Sequence, residues 1–194
     1  FVRTDRTEHE NVQAFEMDDG ALVLDELAAQ AEDIEQQNYA LDARFALPVG
    51  AGKTALELSY AKFEDDIVAT EFEAGPEDPL EATAREINDS SDTESGITLS
   101  HTFELNNGAL KLGVDYLDKN RDGNVSAFEI DGEDLEDDTP PNGIYEIDEQ
   151  RLDPFVKYHA RYGALAVEAG LRFETTDVDV RGDAGSASRS YEIL

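Results

Sequence analysis

The sequence predicts an all-β protein in the form of an antiparallel up-and-down meander of about six strands. Apolar and polar residues alternate strictly in six stretches, which is the period of a strand whose two faces lie in different environments. Short segments rich in Gly and Asn join these stretches in pairs, as expected for β-hairpins. No apolar run approaches the roughly 18 to 20 residues that a membrane-spanning helix requires.

Three turn signals divide the alternating stretches into hairpins. They lie near Gly50, at Asn106-Asn107-Gly108 and near Gly163, and the Asn-Gly combination is the strongest short hairpin signal of the three. Sequence neighbours are therefore expected to be neighbours in the sheet. The hairpins are predicted over 38–63, 96–117 and 151–180, with candidate further strands at 1–7 and 188–194.

Densely acidic segments without alternation are predicted to be loops. They cover 64–95 and 118–150, and a further acidic external loop is expected over 1–37. Within it, the apolar residues of 21–37 fall at helical spacing and predict a short amphipathic helix. The residues on this apolar stripe are Leu24, Leu27, Ala28, Ala31 and Ile34.

The arrangement of turns favours one architecture for 38–194. Short turns at one end of the strands and long loops at the other are typical of outer-membrane β-barrels. Since the chain begins without Met and ends within an alternating stretch, we expect both ends to be cuts in a longer protein. The prediction is therefore an open segment of a transmembrane β-barrel.

A soluble β-sandwich or a lipocalin-like barrel would show the same alternation, so the two faces must be compared. Aromatic residues near the strand ends favour the membrane barrel, because such barrels carry aromatic girdles at both interfaces. These are Tyr39, Tyr60, Tyr116, Tyr158, Tyr162 and Phe173.

The predicted lipid-facing residues include Leu99, Phe103, Leu112, Tyr158, Val167, Leu171 and Phe173. Those predicted to face a watery lumen are Asp42, Arg44, Lys157, His159, Arg161, Glu168, Arg172 and Glu174.

The charge of the chain limits the classes of function. It carries 46 acidic and 15 basic residues, a formal net charge of -31, which repels nucleic acids. Cysteine is absent, so a thiolate metal site is not predicted. Carboxylate pairs are so abundant that no particular pair indicates acid/base chemistry, and a hydrolase has the least support. We predict no catalytic site and no resident cofactor.

One segment matches a calcium-binding motif, and an acidic calcium-binding module is the alternative function. Residues 118–129 fit the EF-hand loop at its oxygen-bearing positions, its central Gly and its final Glu. The preceding segment alternates with period two, however, and predicts a strand where an EF-hand requires a helix. The candidate Ca²⁺ ligands are Asp118, Asn120, Asp122, Asn124 and Glu129.

The third hairpin resembles paired strands of TonB-dependent outer-membrane receptors. Residues 151–158 read Arg-Leu-Asp-Pro-Phe-Val-Lys-Tyr, and after the turn 167–176 read Val-Glu-Ala-Gly-Leu-Arg-Phe-Glu-Thr-Thr. The second strand is similar to an AGLR(Y/F)E.T pattern in that family. Residues 110–116 and the following 119–122 resemble another strand of the same barrels, and the likeness extends over about 38–180.

The resemblance implies a fold, a location and a set of partners. Such receptors are large plugged barrels of about 22 strands that import siderophores, vitamins or oligosaccharides across the bacterial outer membrane. The implied partners are outer-membrane lipid, the rest of the barrel, an N-terminal plug domain, and TonB through a segment that is not in this sequence. The ligand is a small molecule that the sequence does not identify.

Overall fold

The computed structural model describes residues 1–18 and 21–194. Ten antiparallel strands form one sheet, and no helix in the described residues is long and apolar enough to span a membrane. The all-β prediction is confirmed, although there are ten strands rather than about six. In chain order the strands are β1 (Val2–Asp18), β2 (Ala21–Val49), β3 (Gly52–Ala74), β4 (Glu81–Leu105), β5 (Gly108–Asp131), β6 (Asp134–Asp137), β7 (Ile144–Tyr162), β8 (Leu165–Arg172), β9 (Glu174–Gly182) and β10 (Gly185–Ile193).

Strands that follow one another in sequence mostly lie side by side. The order across the sheet is β1-β2-β3-β4-β5-β7-β9-β10, while β6 pairs with β5 and β8 pairs with β7. Within the described residues, β1 and β10 pair on one side only, so the sheet is not closed. An open up-and-down meander was the predicted topology, and the candidate strands at 1–7 and 188–194 belong to β1 and β10.

The three predicted tight turns are all present. Two residues separate the strands at each of them, since Val49 pairs with Gly52, Leu105 with Gly108 and Tyr162 with Leu165. Gly50 and Gly163 have φ values of 60° and 63°. This left-handed conformation favours glycine and gives the turn a twist that matches the flanking strands.

The predicted helix at 21–37 is wrong, and so is the acidic external loop over 1–37. Residues 2–18 form β1, and 21–37 form the first half of β2. β2 hydrogen-bonds to β1 on one side and to β3 on the other, and the buried Ile34 faces Arg6 and Ile67 across these ladders. Two continuous ladders outweigh a helix propensity, which is a weak local preference.

The predicted loops at 64–95 and 118–150 are also wrong, because strands run through most of both segments. Only 75–80 separates β3 from β4, and β5 continues to Asp131 before the short β6 and the start of β7 at Ile144. Polar and apolar residues are mixed on both faces of the strand extensions, so the extensions lack the alternation that marked the hairpins. A strand needs hydrogen-bonded neighbours, and it does not need an apolar face when water covers both sides.

The line formed by β8 and β9 is interrupted at Phe173 for a local reason. Both strands pair with β7 in the same register, and Phe173 lies opposite Pro154. The Phe173 amide donates to the Pro154 carbonyl over 3.0 Å. Pro154 has no N–H to return the second bond of this pair, so the ladder breaks there.

Gly113 gives room for an aromatic ring on the neighbouring strand. Gly113 pairs directly with Phe155, and a Cβ atom built on Gly113 would lie 2.4 Å from Phe155 Cζ and 2.9 Å from the Leu99 carbonyl oxygen. Gly123 pairs with Tyr145 in the same way, with 2.3 Å to Tyr145 Cζ. Rings that cover a glycine on the adjacent strand stabilise a strand position that would otherwise be weak.

We therefore expect Gly113→Ala to lower the free energy of unfolding by about 1 to 3 kcal/mol through overpacking. Gly170→Ala is the matched control, because its nearest neighbour would be the Val156 carbonyl oxygen at 3.3 Å, and it should cost less. Urea unfolding followed by circular dichroism measures both. Phe155→Leu in the Gly113→Ala background should recover part of the loss. An equal cost with and without the Phe155 ring would contradict the ring clash as the cause.

Candidate functional site

One face of the sheet carries a continuous uncharged band. Cross-strand rows such as Phe45, Leu56, Leu99, Val114 and Pro154 place apolar residues side by side from β2 to β7. Between β2 and the β8/β9 line, this face has no Asp, Glu, Lys or Arg in the band, and His101 is its one histidine. We call it the apolar band; it comprises the alternate residues of 43–49, 52–58, 97–105, 108–116, 152–162 and 165–175 that lie on this face.

Aromatic residues mark both limits of the apolar band. Tyr60 and Tyr116 lie toward the acidic strand extensions, with Tyr39 one row beyond Tyr60. Phe103, Tyr158 and Tyr162 lie toward the tight turns, and the Tyr158 and Tyr162 hydroxyls are 2.9 Å apart. Phe173 was predicted near a strand end, yet it pairs level with Pro154 in the middle of the band.

The eight residues predicted to face a lumen all lie on the opposite face, which we call the polar face. The register that fixes the apolar band also fixes this placement. This face is the more crowded one: Ser100 is 3% exposed and Phe155 8%, whereas Leu41 and Leu171 on the other face are 68% and 67% exposed. The seven predicted lipid-facing residues lie on the apolar face.

The predicted polar-face residues do not form one site. Asp42 and Arg44 lie on β2, while Lys157, His159 and Arg161 lie on β7. Three strands separate β2 from β7, which corresponds to about 19 Å at the usual strand spacing. The sheet does bring His159 opposite Glu168 and Arg172 close to β7. Glu174 accepts a hydrogen bond from the Thr176 hydroxyl at 3.3 Å.

An ion-pair network joins β5, β7 and β8 on the polar face. Arg172 Nη1 is 3.2 Å from Asp153 Oδ2, and Arg172 Nη2 contacts Asp115 Oδ2. Arg151 Nε reaches the same Asp153 oxygen at 3.3 Å. Thr98 donates to Asp115 Oδ1 over 2.8 Å, which extends the network to β4. The network therefore ties four strands together by side chains.

Asp153 is the most enclosed carboxylate of this network. It is 0% exposed, and its Oδ1 atom has no hydrogen-bond partner among the described residues. A buried carboxylate is costly without partners, and the two arginines on Oδ2 supply the contacts that this one has. Arg44 and Glu57 form a more exposed pair on the same face, with 3.3 Å between Nε and Oε1.

Sequence reasoning identified Arg172 and missed its partners. Asp115, Arg151 and Asp153 occupy polar positions of the alternation, but so do many other charged residues. Choosing among them requires the pairing of β5 with β7, and no local pattern shows this pairing because Asp115 and Arg172 are 57 positions apart in sequence.

The five candidate Ca²⁺ ligands lie in β5 and do not form an EF-hand loop. Asp118, Asn120, Asp122 and Asn124 share one face at every second residue, about 6.6 to 6.8 Å apart along the strand. Glu129 lies on the opposite face. Ca²⁺ requires oxygens at 2.3 to 2.6 Å around one point. Over the described ranges, no group of three or more His, Cys, Asp or Glu is arranged to hold a metal ion.

A row of four carboxylates crosses four strands above the apolar band. Asp5 faces Glu35, Glu35 faces Asp66, and Asp66 faces Asp89. Arg3 pairs with Glu35 at 2.8 Å, but in the described part of the chain no basic group lies within 4.0 Å of the Asp66 or Asp89 carboxylate. Partial burial, followed by repulsion from Asp89 and Glu35, raises the pKa of Asp66.

Comparison with known proteins does not assign a family. The chain matches no protein-family model and no curated protein.

We expect Arg172→Gln to lower the free energy of unfolding by about 1 to 3 kcal/mol, because it leaves Asp115 without its cation and the buried Asp153 with one arginine. Arg44→Gln is the matched control on the same face. Its pair with Glu57 is exposed, with 65% and 41% of the two side chains accessible, so its loss should cost at most about 1 kcal/mol. Urea titration measures both, and equal losses would argue against a special role for the Arg172 network.

We expect Asp66→Asn to raise the free energy of unfolding at neutral pH and low salt, by about 0.2 to 1 kcal/mol for each relieved like-charge pair. Because the folded-state pKa of Asp66 is raised, the wild-type protein regains this stability as the pH falls through that pKa. The difference between variant and wild type should therefore narrow in acid and in high salt.

Asp42→Asn is the control for Asp66→Asn, since it removes the same charge from a residue that faces Ser59. Urea midpoints at several pH values and salt concentrations measure the effect. A gain in the control as large as that in Asp66→Asn would assign the effect to net charge rather than to the carboxylate row.

Proposed function

We propose that this sheet is a stretch of wall of a bacterial outer-membrane β-barrel of the TonB-dependent receptor type, which takes part in importing a siderophore, vitamin or oligosaccharide. The observation that carries the proposal is the apolar band. An uncharged face this wide, exposed to the surroundings on a chain with a net charge of -31, is typical of a surface that meets lipid.

The dimensions of the apolar band support this proposal. On β4, β5 and β7 its stretches cover 97–105, 108–116 and 152–162, which is the length of about 9 to 11 residues that a tilted strand needs to cross the hydrocarbon core. Tyrosines at its limits suit the interfacial regions on both sides. The strands continue well past the band, as expected where a barrel wall extends into water.

The composition of the polar face supports the proposal that this face lines a water-filled lumen. Acidic and basic side chains occur there in equal number, and several of them are paired across strands. Ion-paired, hydrated residues alternating with lipid-facing ones are characteristic of large barrels. The basic residues are Arg44, Lys53, Lys111, Arg151, Lys157, Arg161 and Arg172, and the acidic ones are Asp42, Glu57, Glu104, Asp115, Asp153, Glu168 and Glu174.

The receptor type rests on the resemblance of the third hairpin, at 151–158 and 167–176. On this resemblance, the remaining barrel strands would pair with β1 and β10, a plug domain would fill the polar side, and TonB would supply energy. The outer membrane is the corresponding location. Catalysis is not part of the proposal.

Single spin labels test the proposal directly, because the chain has no native cysteine. Leu171→Cys and Gly170→Cys are adjacent and lie on opposite faces, while Asp89→Cys lies on the face of Leu171 but beyond the apolar band. The full chain is labelled and reconstituted into lipid vesicles. Electron paramagnetic resonance then compares collisions with oxygen, which concentrates in lipid, and with a water-soluble nickel chelate.

The label at Leu171 should collide with oxygen and be shielded from nickel, whereas the labels at Gly170 and Asp89 should be accessible to nickel. Nickel access at all three positions would show two watery faces and favour a soluble β-domain. A monodisperse monomer with strongly protected strand amides in detergent-free buffer would lead to the same rejection.

We expect Leu171→Arg to cost about 2 to 4 kcal/mol of folding free energy in lipid, because it places a charge on the lipid-facing side. Gly170→Arg should be tolerated better, since it adds the charge to the polar face. Leu171→Met and Gly170→Met correct for side-chain volume at each site. Unfolding in urea from vesicles measures the difference, and equal volume-corrected costs would contradict a lipid-facing band.

A further inference from the structure

Three of the basic side chains that have no carboxylate partner are lysines that lie close together in the sheet. In the described residues, Arg85, Arg161 and Arg189 also have no carboxylate within 4.0 Å, but they lie outside this group. A group of three unpaired lysines is unusual in a chain with 46 acidic residues and 15 basic ones. Lys62 and Lys119 are paired with Glu64 and with Asp92 and Glu94. Within the described ranges, no carboxylate lies within 4.0 Å of the ammonium groups of Lys53, Lys111 and Lys157.

The three unpaired lysines lie in one cross-strand row of the polar face. Lys53 pairs with Thr102, Thr102 with Lys111, and Lys111 with Lys157. Lys111 and Lys157 are thus directly opposite each other, an arrangement of like charges that destabilises a sheet unless something compensates it. We call this set the lysine row.

Both opposing lysines lie near the ring of Phe155. The ammonium nitrogens of Lys111 and Lys157 lie 5.5 Å and 5.3 Å from the centre of its ring, and the Arg172 guanidinium carbon lies at 5.9 Å. The face of an aromatic ring attracts cations. Three cations lie around one ring, and two of them have no carboxylate partner, so positive charge is concentrated at this place.

A groove of about 530 Å³ lies beside the lysine row. Small residues form part of its wall, because Thr102, Ala109 and Gly170 project little from the sheet. Lys111, Lys157 and His159 also line it. Glu168 lies at the groove too, but in the ladder it faces His159 rather than a lysine.

The excess negative charge of the chain does not neutralise this groove. Along β3, Lys53 and the carboxylate row at Asp66 are separated by about 40 Å of strand. The screening length at physiological salt is about 8 Å, so only local groups determine the potential at the lysine row.

We propose that the groove beside the lysine row is a binding site for a small oxyanion, a phosphate or a carboxylate, held by Lys111 and Lys157 with Lys53 and the Thr102 hydroxyl as neighbouring donors. Lysine binds such groups as a point charge with three donors. Binding would neutralise the like-charge pair and stabilise the sheet at its tight-turn end. The proposal rests on the cross-strand register and does not depend on the membrane.

Lysine-resolved NMR tests this proposal on the full chain in an uncharged detergent. The chain has five lysines, and reductive ¹³C-methylation preserves their charge while giving each a separate signal, next to one from the amino terminus. Inorganic phosphate and citrate are titrated separately at constant ionic strength. The signals of Lys111 and Lys157 should shift and saturate, while those of the paired Lys62 and Lys119 should stay in place.

Matched variants separate a site from a general charge effect. Lys157→Gln should weaken binding about tenfold, the loss of one charge-assisted contact, whereas Lys119→Gln removes the same charge from a paired lysine and should leave affinity unchanged. Saturation by phosphate alone would identify a phosphate site, and by citrate alone a carboxylate site. Shifts of all five lysines without saturation, no shift at all, or equal weakening by both variants would overturn the proposal.

Discussion

Cross-strand register is the constraint on which the rest of this structure depends. A slip of one residue between any two strands would move every side chain of one strand to the other face. The pairing of β2 with β3 stays in one register from Leu27 to Val49, and β4 with β5 does so along their whole length. Register shifts occur at Ala14/Phe15 and Glu71/Phe72, and both lie in the strand extensions, away from the apolar band. The band and the polar face are therefore two consequences of a register that does not shift across the band.

The same strands pass through two electrostatic environments. Near the tight turns, the polar face balances its charges and pairs Arg172 with Asp115 and Asp153. In the strand extensions, carboxylates such as Glu35 and Asp66 face one another across the ladder. The first arrangement resists salt because its central carboxylate is buried, whereas the second is exposed and is stabilised when salt screens it. Electrostatic interactions therefore contribute unevenly along each strand. They stabilise the part next to the tight turns and destabilise the strand extensions.

The sequence revealed the structure wherever the two faces of a strand differ. Alternation and Gly- or Asn-containing turns were sufficient for the three hairpins and for the face of each predicted residue, because a period of two fixes both. The prediction from sequence failed over 64–95 and 118–150, where polar and apolar residues are mixed on both faces and the strand shows no periodic signal. It also failed at 21–37, where apolar residues at helical spacing are held in β2 by ladders on both sides. The lysine row could not be predicted from the sequence, because it depends on the register between β3, β4, β5 and β7.

The interruption at Phe173 shows how side chains and backbone compensate for each other. Pro154 removes one hydrogen bond from the ladder between β7 and the β8/β9 line, which by itself would weaken the sheet at mid-band. Arg172, immediately before the break, bonds to Asp153, immediately before Pro154, and to Asp115 on the far side of β7. Three strands are therefore joined by charged groups beside this gap in the backbone ladder. The buried Asp153 therefore has a structural role at this position, since it holds Arg172 next to the gap in the ladder.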